Sequence, residues 1–85
     1  MKLTVLYFAA LREALQLDRE QVQLPPEVRD VTELRHWLCA RGGVWAEQLG
    51  PDRAVRVAIN RSLAGADAAL TDGAEVAYFP PVTGG

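Results

Sequence analysis

Side chains able to do chemistry are sparse in this sequence, and none stands where a neighbour would activate it. His36 is the single histidine and Cys39 the single cysteine. His36 falls on a predicted helix without triad or metal-ligand companions, which favours a surface or core-edge role. Cys39 lies beside the Leu34/Leu38 stripe of the same helix and reads as a buried or half-buried structural thiol. One cysteine allows no internal disulfide and fits a reducing compartment, and without a Cys-x-x-Cys pair there is no case for zinc. Gly42-Gly43 is a helix stop, not a phosphate loop, because no strand precedes it and no Gly-Lys-Ser/Thr follows. Arg12, Arg56 and Arg61 could steer an acidic partner, although isolated arginines are usually just solvated.

The chemistry therefore has to come from the main chain. The sequence ends Phe79-Pro80-Pro81-Val82-Thr83-Gly84-Gly85. Neither proline has an N–H to donate, so a sheet ladder must stop there, and a proline pair favours a stiff, extended exit. At roughly 3.3 Å per residue, the segment 80–85 reaches about 20 Å. Gly84 and Gly85 carry no side chains and adopt either sign of φ, which suits a narrow channel in another protein. A carboxylate at Gly85, with a pKa of about 3.5, is an anion at neutral pH and a poor electrophile. It becomes reactive only if another enzyme gives it a leaving group.

The elements that would position this tail are legible as alternations and stripes. Lys2 to Phe8 reads as a strand with Leu3, Val5 and Tyr7 on one face and Leu6 and Phe8 on the other. Ala9 to Leu17 reads as a short helix, and Gln21 to Leu24 as a half-buried strand stopped by Pro25-Pro26. Asp30 offers an N-cap with Glu33 as its capping-box partner, and Val31, Leu34 and Leu38 form the buried stripe of the main helix. Val44 to Leu49 adds a further helical turn. Val55, Val57 and Ile59 alternate with Arg56 and Ala58 as a strand, and Asn60-Arg61-Ser62 is turn-like. Thr71-Asp72-Gly73 is a turn into the last strand, Glu75 to Phe79. The expected class is α+β, a mixed sheet with a long helix across one face. Helices on one face leave apolar residues uncovered on the other; long loops could fold back over them, and the favoured alternative is a docking surface.

Composition narrows the partners. The chain has 85 residues, a single-domain length that leaves little room for a deep substrate pocket. A formal net charge of -2 without a Lys/Arg block does not support nucleic-acid binding. No apolar run approaches the ~20 residues of a membrane span. Met1 to Ala10 superficially resembles a signal peptide, but Arg12-Glu13 follows at once and cleavage would remove the best strand. A cytoplasmic location is expected.

The block from Leu70 to Gly85 (Leu-Thr-Asp-Gly-Ala-Glu-Val-Ala-Tyr-Phe-Pro-Pro-Val-Thr-Gly-Gly) closely resembles the end of the small, sulfur-carrier subunit of molybdopterin synthase, a ubiquitin-related family. Phe8-Ala9-Ala10-Leu11-Arg12-Glu13 is similar to that family's opening, and Val57-Ala58-Ile59-Asn60 to its middle strand. The resemblance implies a β-grasp, ubiquitin-like fold over residues 1–85, with 80–85 as a flexible tail. It implies that an activating enzyme resembling ubiquitin's adenylates Gly85 with ATP, after which sulfur transfer makes a thiocarboxylate. It further implies that the tail (Pro80, Pro81, Val82, Thr83, Gly84) threads into the large, catalytic synthase subunit, in a heterotetramer. There sulfur passes to cyclic pyranopterin monophosphate to build molybdopterin. Phe79, Leu63, Phe8 and Arg12 are the expected docking contacts. No metal and no permanently bound cofactor are expected, and the chain alone is not expected to catalyse a reaction.

Other users of the same terminal chemistry stay open: a carrier for thiamine synthesis or tRNA thiolation, or a covalent ubiquitin-like modifier. The Pro80-Pro81-Val82-Thr83 approach favours the synthase carrier. Lys2 is the single lysine, which serves polymeric conjugation poorly. A non-covalent adaptor with an inert tail belongs to a different class, and an added C-terminal residue would leave it unharmed.

Overall fold

The period-two pattern of the first seven residues becomes strand β1 (Lys2–Tyr7) in the computed structural model, which describes residues 1–81. Leu3, Val5 and Tyr7 are each at most 1% exposed and line the core. Helix α1 (Ala9–Leu15) follows at once and buries Leu11 and Leu15. It returns the chain to β2 (Arg19–Gln23), which pairs antiparallel with β1. The expected Pro25 stop holds, and the next N–H in line, that of Leu24, still donates to the Met1 carbonyl at 2.8 Å.

Helix α2 (Val31–Cys39) starts where the cap chemistry places it. Asp30 Oδ1 accepts from the Glu33 N–H at 2.8 Å, satisfying one of the orphan donors of the first turn. The return half of the box differs from expectation: Glu33 Oε1 accepts from the Arg29 N–H at 3.0 Å, one residue before the cap. The helix is shorter than expected, nine residues, and Val31, Leu34 and Leu38 form its buried stripe. After Gly42, at φ +77°, the expected extra turn is a separate helix, α3 (Val44–Leu49). Arg35 ties α2 to the end of α3. Its Nε donates to the Leu49 carbonyl, and its Nη2 donates to those of Gly50 and Arg53, all at 2.7 Å. Gly50 is required there, since a Cβ would lie 2.6 Å from the Ala46 carbonyl oxygen.

Three strands complete the sheet: β3 (Arg56–Ile59), β4 (Ser62–Leu63) and β5 (Glu75–Phe79). The segment Asn60-Arg61-Ser62 is more than a turn. Asn60 and Arg61 lie at φ +48° and +72°, the geometry of a two-residue type I′ hairpin, and Ser62 already belongs to β4. The strand order is β2-β1-β5-β3-β4, with β1 and β5 parallel and the other pairs antiparallel. The sheet is therefore mixed, as expected, with β5 at its centre. Val5, Val76 and Ile59 form one cross-strand row on the core face, and Tyr7, Tyr78 and Val57 form the next. Leu34, Leu38 and Leu49 from the helices are fully buried against this core.

Candidate functional site

Strand β5 delivers the chain toward its last residues from the middle of the sheet, held on both sides. Its Ala77 lies opposite Leu6 of β1 and Ala58 of β3, and Ala58 in turn lies opposite Leu63 of β4. Opposed residues share a face, so Leu6, Ala77, Ala58 and Leu63 make one apolar row across four strands. Among the described residues the buried sides of all three helices join the core on the other face. This row is half-buried at Leu6, Ala58 and Ala77 and exposed at Leu63. Two residues on, Phe79 sits opposite Arg56 on the same face. Phe8 continues the alternation of β1, and its N–H donates to the Tyr78 carbonyl at 3.1 Å, extending the ladder one step.

Among the described residues the large apolar side chains left exposed are Leu63 at 70% and Phe8 at 45%. Both are among the expected docking residues, and exposure removes core packing as their explanation. Phe79, Pro80 and Pro81 are half-buried, and Arg12 is exposed on α1, one turn beyond Phe8. Phe8, Phe79 and Leu63 thus rim a sheet face from which the tail departs. Val82, Thr83, Gly84 and Gly85 lie outside the described residues. Leu6, Ala58 and Ala77 complete the face. The two alanines escaped notice because a small side chain on a strand signals nothing by itself, although the alternation of β3 and β5 places both.

The remaining candidates stay apart. His36 is exposed on α2. Cys39 is half-buried and its Sγ lies 2.9 Å from the Leu49 carbonyl, a structural thiol contact between α2 and α3. Among the described residues no three potential metal ligands come together. No helix among them is long and apolar enough to cross a membrane.

The core face beneath the root of β5's exit, where Tyr7 lies opposite Tyr78, holds a cluster that the sequence did not announce. The Tyr7 hydroxyl donates to Glu20 Oε2 at 2.8 Å, and Tyr7 meets Trp45 edge-on at 5.4 Å. Burial first, then the Glu20 hydrogen bond, pushes the Tyr7 phenol well above its ordinary range. This cluster joins β1, β2 and α3 and bears on stability.

Comparison with known proteins agrees with the geometry. Residues 5–85 match the family described as the ThiS family. The molybdopterin synthase sulfur carrier subunit of Escherichia coli K12 is 42% identical over 81 residues, covering 95% of this chain and 96% of that protein. SAMP1 from Haloferax volcanii superposes with a TM-score of 0.80 at 23% identity, with complete coverage of both chains, and shows the fold alone. A chain from the Helicobacter pylori complex of subunits 1 and 2 of molybdopterin-converting factor gives a TM-score of 0.68 at 26% identity, again over the whole of both chains.

Proposed function

From the premise that the chain belongs to the ThiS family and has the β-grasp, ubiquitin-like fold, we propose that it is the sulfur carrier of a molybdopterin synthase. The observation that carries this reading is the uncovered apolar row of Leu6, Ala77, Ala58 and Leu63 around a central strand that leads into Pro80-Pro81. It supports a face docked on a partner while the following residues enter that partner's cleft. The Helicobacter pylori relative forms a complex of subunits 1 and 2, and the corresponding partner here is the large synthase subunit.

The reaction at Gly85 proceeds in two stages. The carboxylate attacks the α-phosphate of ATP on an activating enzyme, giving an acyl adenylate and pyrophosphate. Adenylation removes the negative charge that made the carboxylate a poor electrophile and installs AMP as leaving group. A sulfide-level sulfur nucleophile from a donor then attacks the acyl carbon and displaces AMP, leaving a thiocarboxylate. In the synthase its sulfur attacks a carbon of the pyranopterin precursor and displaces an oxygen substituent. Water then cleaves the resulting thioester, leaving the sulfur on the pterin and the carrier as its carboxylate. This chain supplies the reacting carbonyl, the slim Thr83-Gly84-Gly85 approach and the docking face (Phe8, Leu63, Phe79, Arg12). Acid–base groups come from its partners.

Intact-mass analysis after incubation with activating enzyme, ATP and a sulfur donor tests the reading. The expected gain corresponds to one oxygen exchanged for one sulfur, localised to Gly85. A chain lacking Gly85 keeps its fold and loses the gain. If that shortened chain still supports molybdopterin formation, the proposal fails.

A further inference from the structure

A cavity of about 550 Å³ opens between α2, the end of α3 and strands β3 and β4; Leu63 and Arg56, which also belong to the proposed docking face, are among its lining. Its size lies within the range of about 300–1,000 Å³ typical of small-molecule sites. Val57, Leu49 and the Tyr78 ring make its walls apolar. Its charged lining is of one sign: Arg35 and Arg56, with His36 beside them, and no acidic side chain. Two features set it apart from an ordinary surface dent.

The first is the Tyr78 hydroxyl. Tyr78 is 1% exposed, and its oxygen is buried without a hydrogen-bond partner among the described residues. A buried, unpaired hydroxyl has lost its hydration without a replacement, a cost that a ligand acceptor would offset. Burial pushes the phenol upward while the Arg35 guanidinium acts in the opposite sense, so the group stays a neutral donor close to a fixed cation. The second is Arg35 itself. Its Nε and Nη2 are held by three main-chain carbonyls, which orients the guanidinium but neutralises no charge. Among the described residues no carboxylate forms a salt bridge with Arg35, Arg56 or His36. A pre-oriented cation, a spare donor and apolar walls in one concavity suit a flat apolar body carrying one anionic group.

We infer that this cavity is a second binding site, distinct from the tail and sharing Leu63 and Arg56 with the docking face, for a small aromatic or alicyclic organic anion. The ring lies against Val57 and Tyr78, and the anionic group faces Arg35 and Arg56.

The test uses the isotopically labelled full chain and two probes, 8-anilinonaphthalene-1-sulfonate and its uncharged parent N-phenyl-1-naphthylamine. Saturable amide shifts are expected at Thr32, His36, Val57 and Ala64, with the anion binding about tenfold more tightly than the parent. Ala66→Trp places a bulky ring over the exposed lip and is expected to abolish the shifts. Arg56→Glu is expected to erase the preference for the anion. Both positions are exposed, and the spectrum of each unliganded variant verifies its fold. Equal affinity for the two probes, shifts centred on Leu6 and Ala77, or undiminished binding to Ala66→Trp would overturn the inference. No activating enzyme is involved, so the result is independent of sulfur transfer at Gly85.

Discussion

The Arg41 guanidinium donates to both carboxylate oxygens of Glu20, at 2.8 and 3.0 Å, while stacking over Trp45 at 4.4 Å and Trp37 at 5.4 Å. The same carboxylate accepts from Tyr7, so five side chains, from β1, β2, α2, the loop after α2 and α3, meet at one charge pair. The Glu20 hydrogen bond raises the affinity of Arg41 for its proton, as expected of a charge-assisted fork.

Removal of this guanidinium therefore loosens α2, α3 and β2 together. Both partners keep some exposure, 30% and 19% of their side chains, so solvent screening limits the pair. Arg41→Ala is expected to cost about 1–2 kcal/mol, combining a screened bidentate pair with lost stacking on Trp45. Arg41→Lys keeps the charge but not the fork and is expected to recover less than half. A double-mutant cycle with Glu20→Gln, read by denaturant unfolding, isolates the pair. Zero coupling would show that the fork contributes nothing.

Alkaline pH provides a second test, with its sign set by burial. Tyr7 and Tyr78 are the only tyrosines, and burial raises both phenols above their ordinary value of 10.0. The folded chain thus holds protons that the unfolded chain releases. Below pH 10 both states are protonated and the tyrosines add no pH dependence. Above it, stability is lost by up to about 1.4 kcal/mol per pH unit for each phenol, until the folded values are reached. Ultraviolet absorbance is expected to show no phenolate before unfolding, and Tyr7→Phe to reduce the slope. Phenolate appearing near pH 10 in the folded protein would contradict this burial.

Much of this architecture was legible because period two survives in β1, β3 and β5: Leu3, Val5 and Tyr7 point inward while Leu6 and Phe8 do not. Leu63 stood out as a large apolar residue after a turn, and it is the most exposed large apolar side chain among the described residues. The Arg41–Glu20 fork was not legible, because its partners lie 21 positions apart and only the fold joins them. Strand β4 was missed for a different reason, since two residues are too few to show a period. The cavity beneath α2 depends on how Arg35 pins the end of α3, a tertiary contact with no local signature.

The β3–β4 hairpin shows where local strain remains. A type I′ turn needs positive φ at both central residues, which suits Asn followed by Gly. Asn60 fits, and its Oδ1 also accepts from the Glu75 N–H at 3.0 Å. Arg61, at φ +72°, occupies the position where glycine is preferred. Arg61→Gly removes left-handed strain of about 1–2 kcal/mol against a backbone-entropy cost of about 0.5–1 kcal/mol. A rise in melting temperature of a few degrees is the expected outcome by calorimetry, with Asn60→Ala lowering it. A fall with Arg61→Gly would mean that its side chain makes a compensating interaction.

Leu63 also offers the clearest separation of docking from folding. It is exposed on a short edge strand, so Leu63→Asp is expected to change stability by no more than about 0.5 kcal/mol. In the proposed complex it is buried at the end of the Leu6, Ala77, Ala58 row, where a charge loses its hydration without a partner. Replacing a large apolar contact of this kind by a charge is expected to cost at least about 2 kcal/mol in binding, or roughly 30-fold in affinity for the large synthase subunit. Gln23→Asp adds the same charge on β2, at the opposite edge of the sheet, and is the control expected to bind normally. Calorimetric titration of the large subunit with the three proteins settles the comparison. If Leu63→Asp binds like the parent chain, the uncovered row is not the docking face, whatever the chemistry at Gly85.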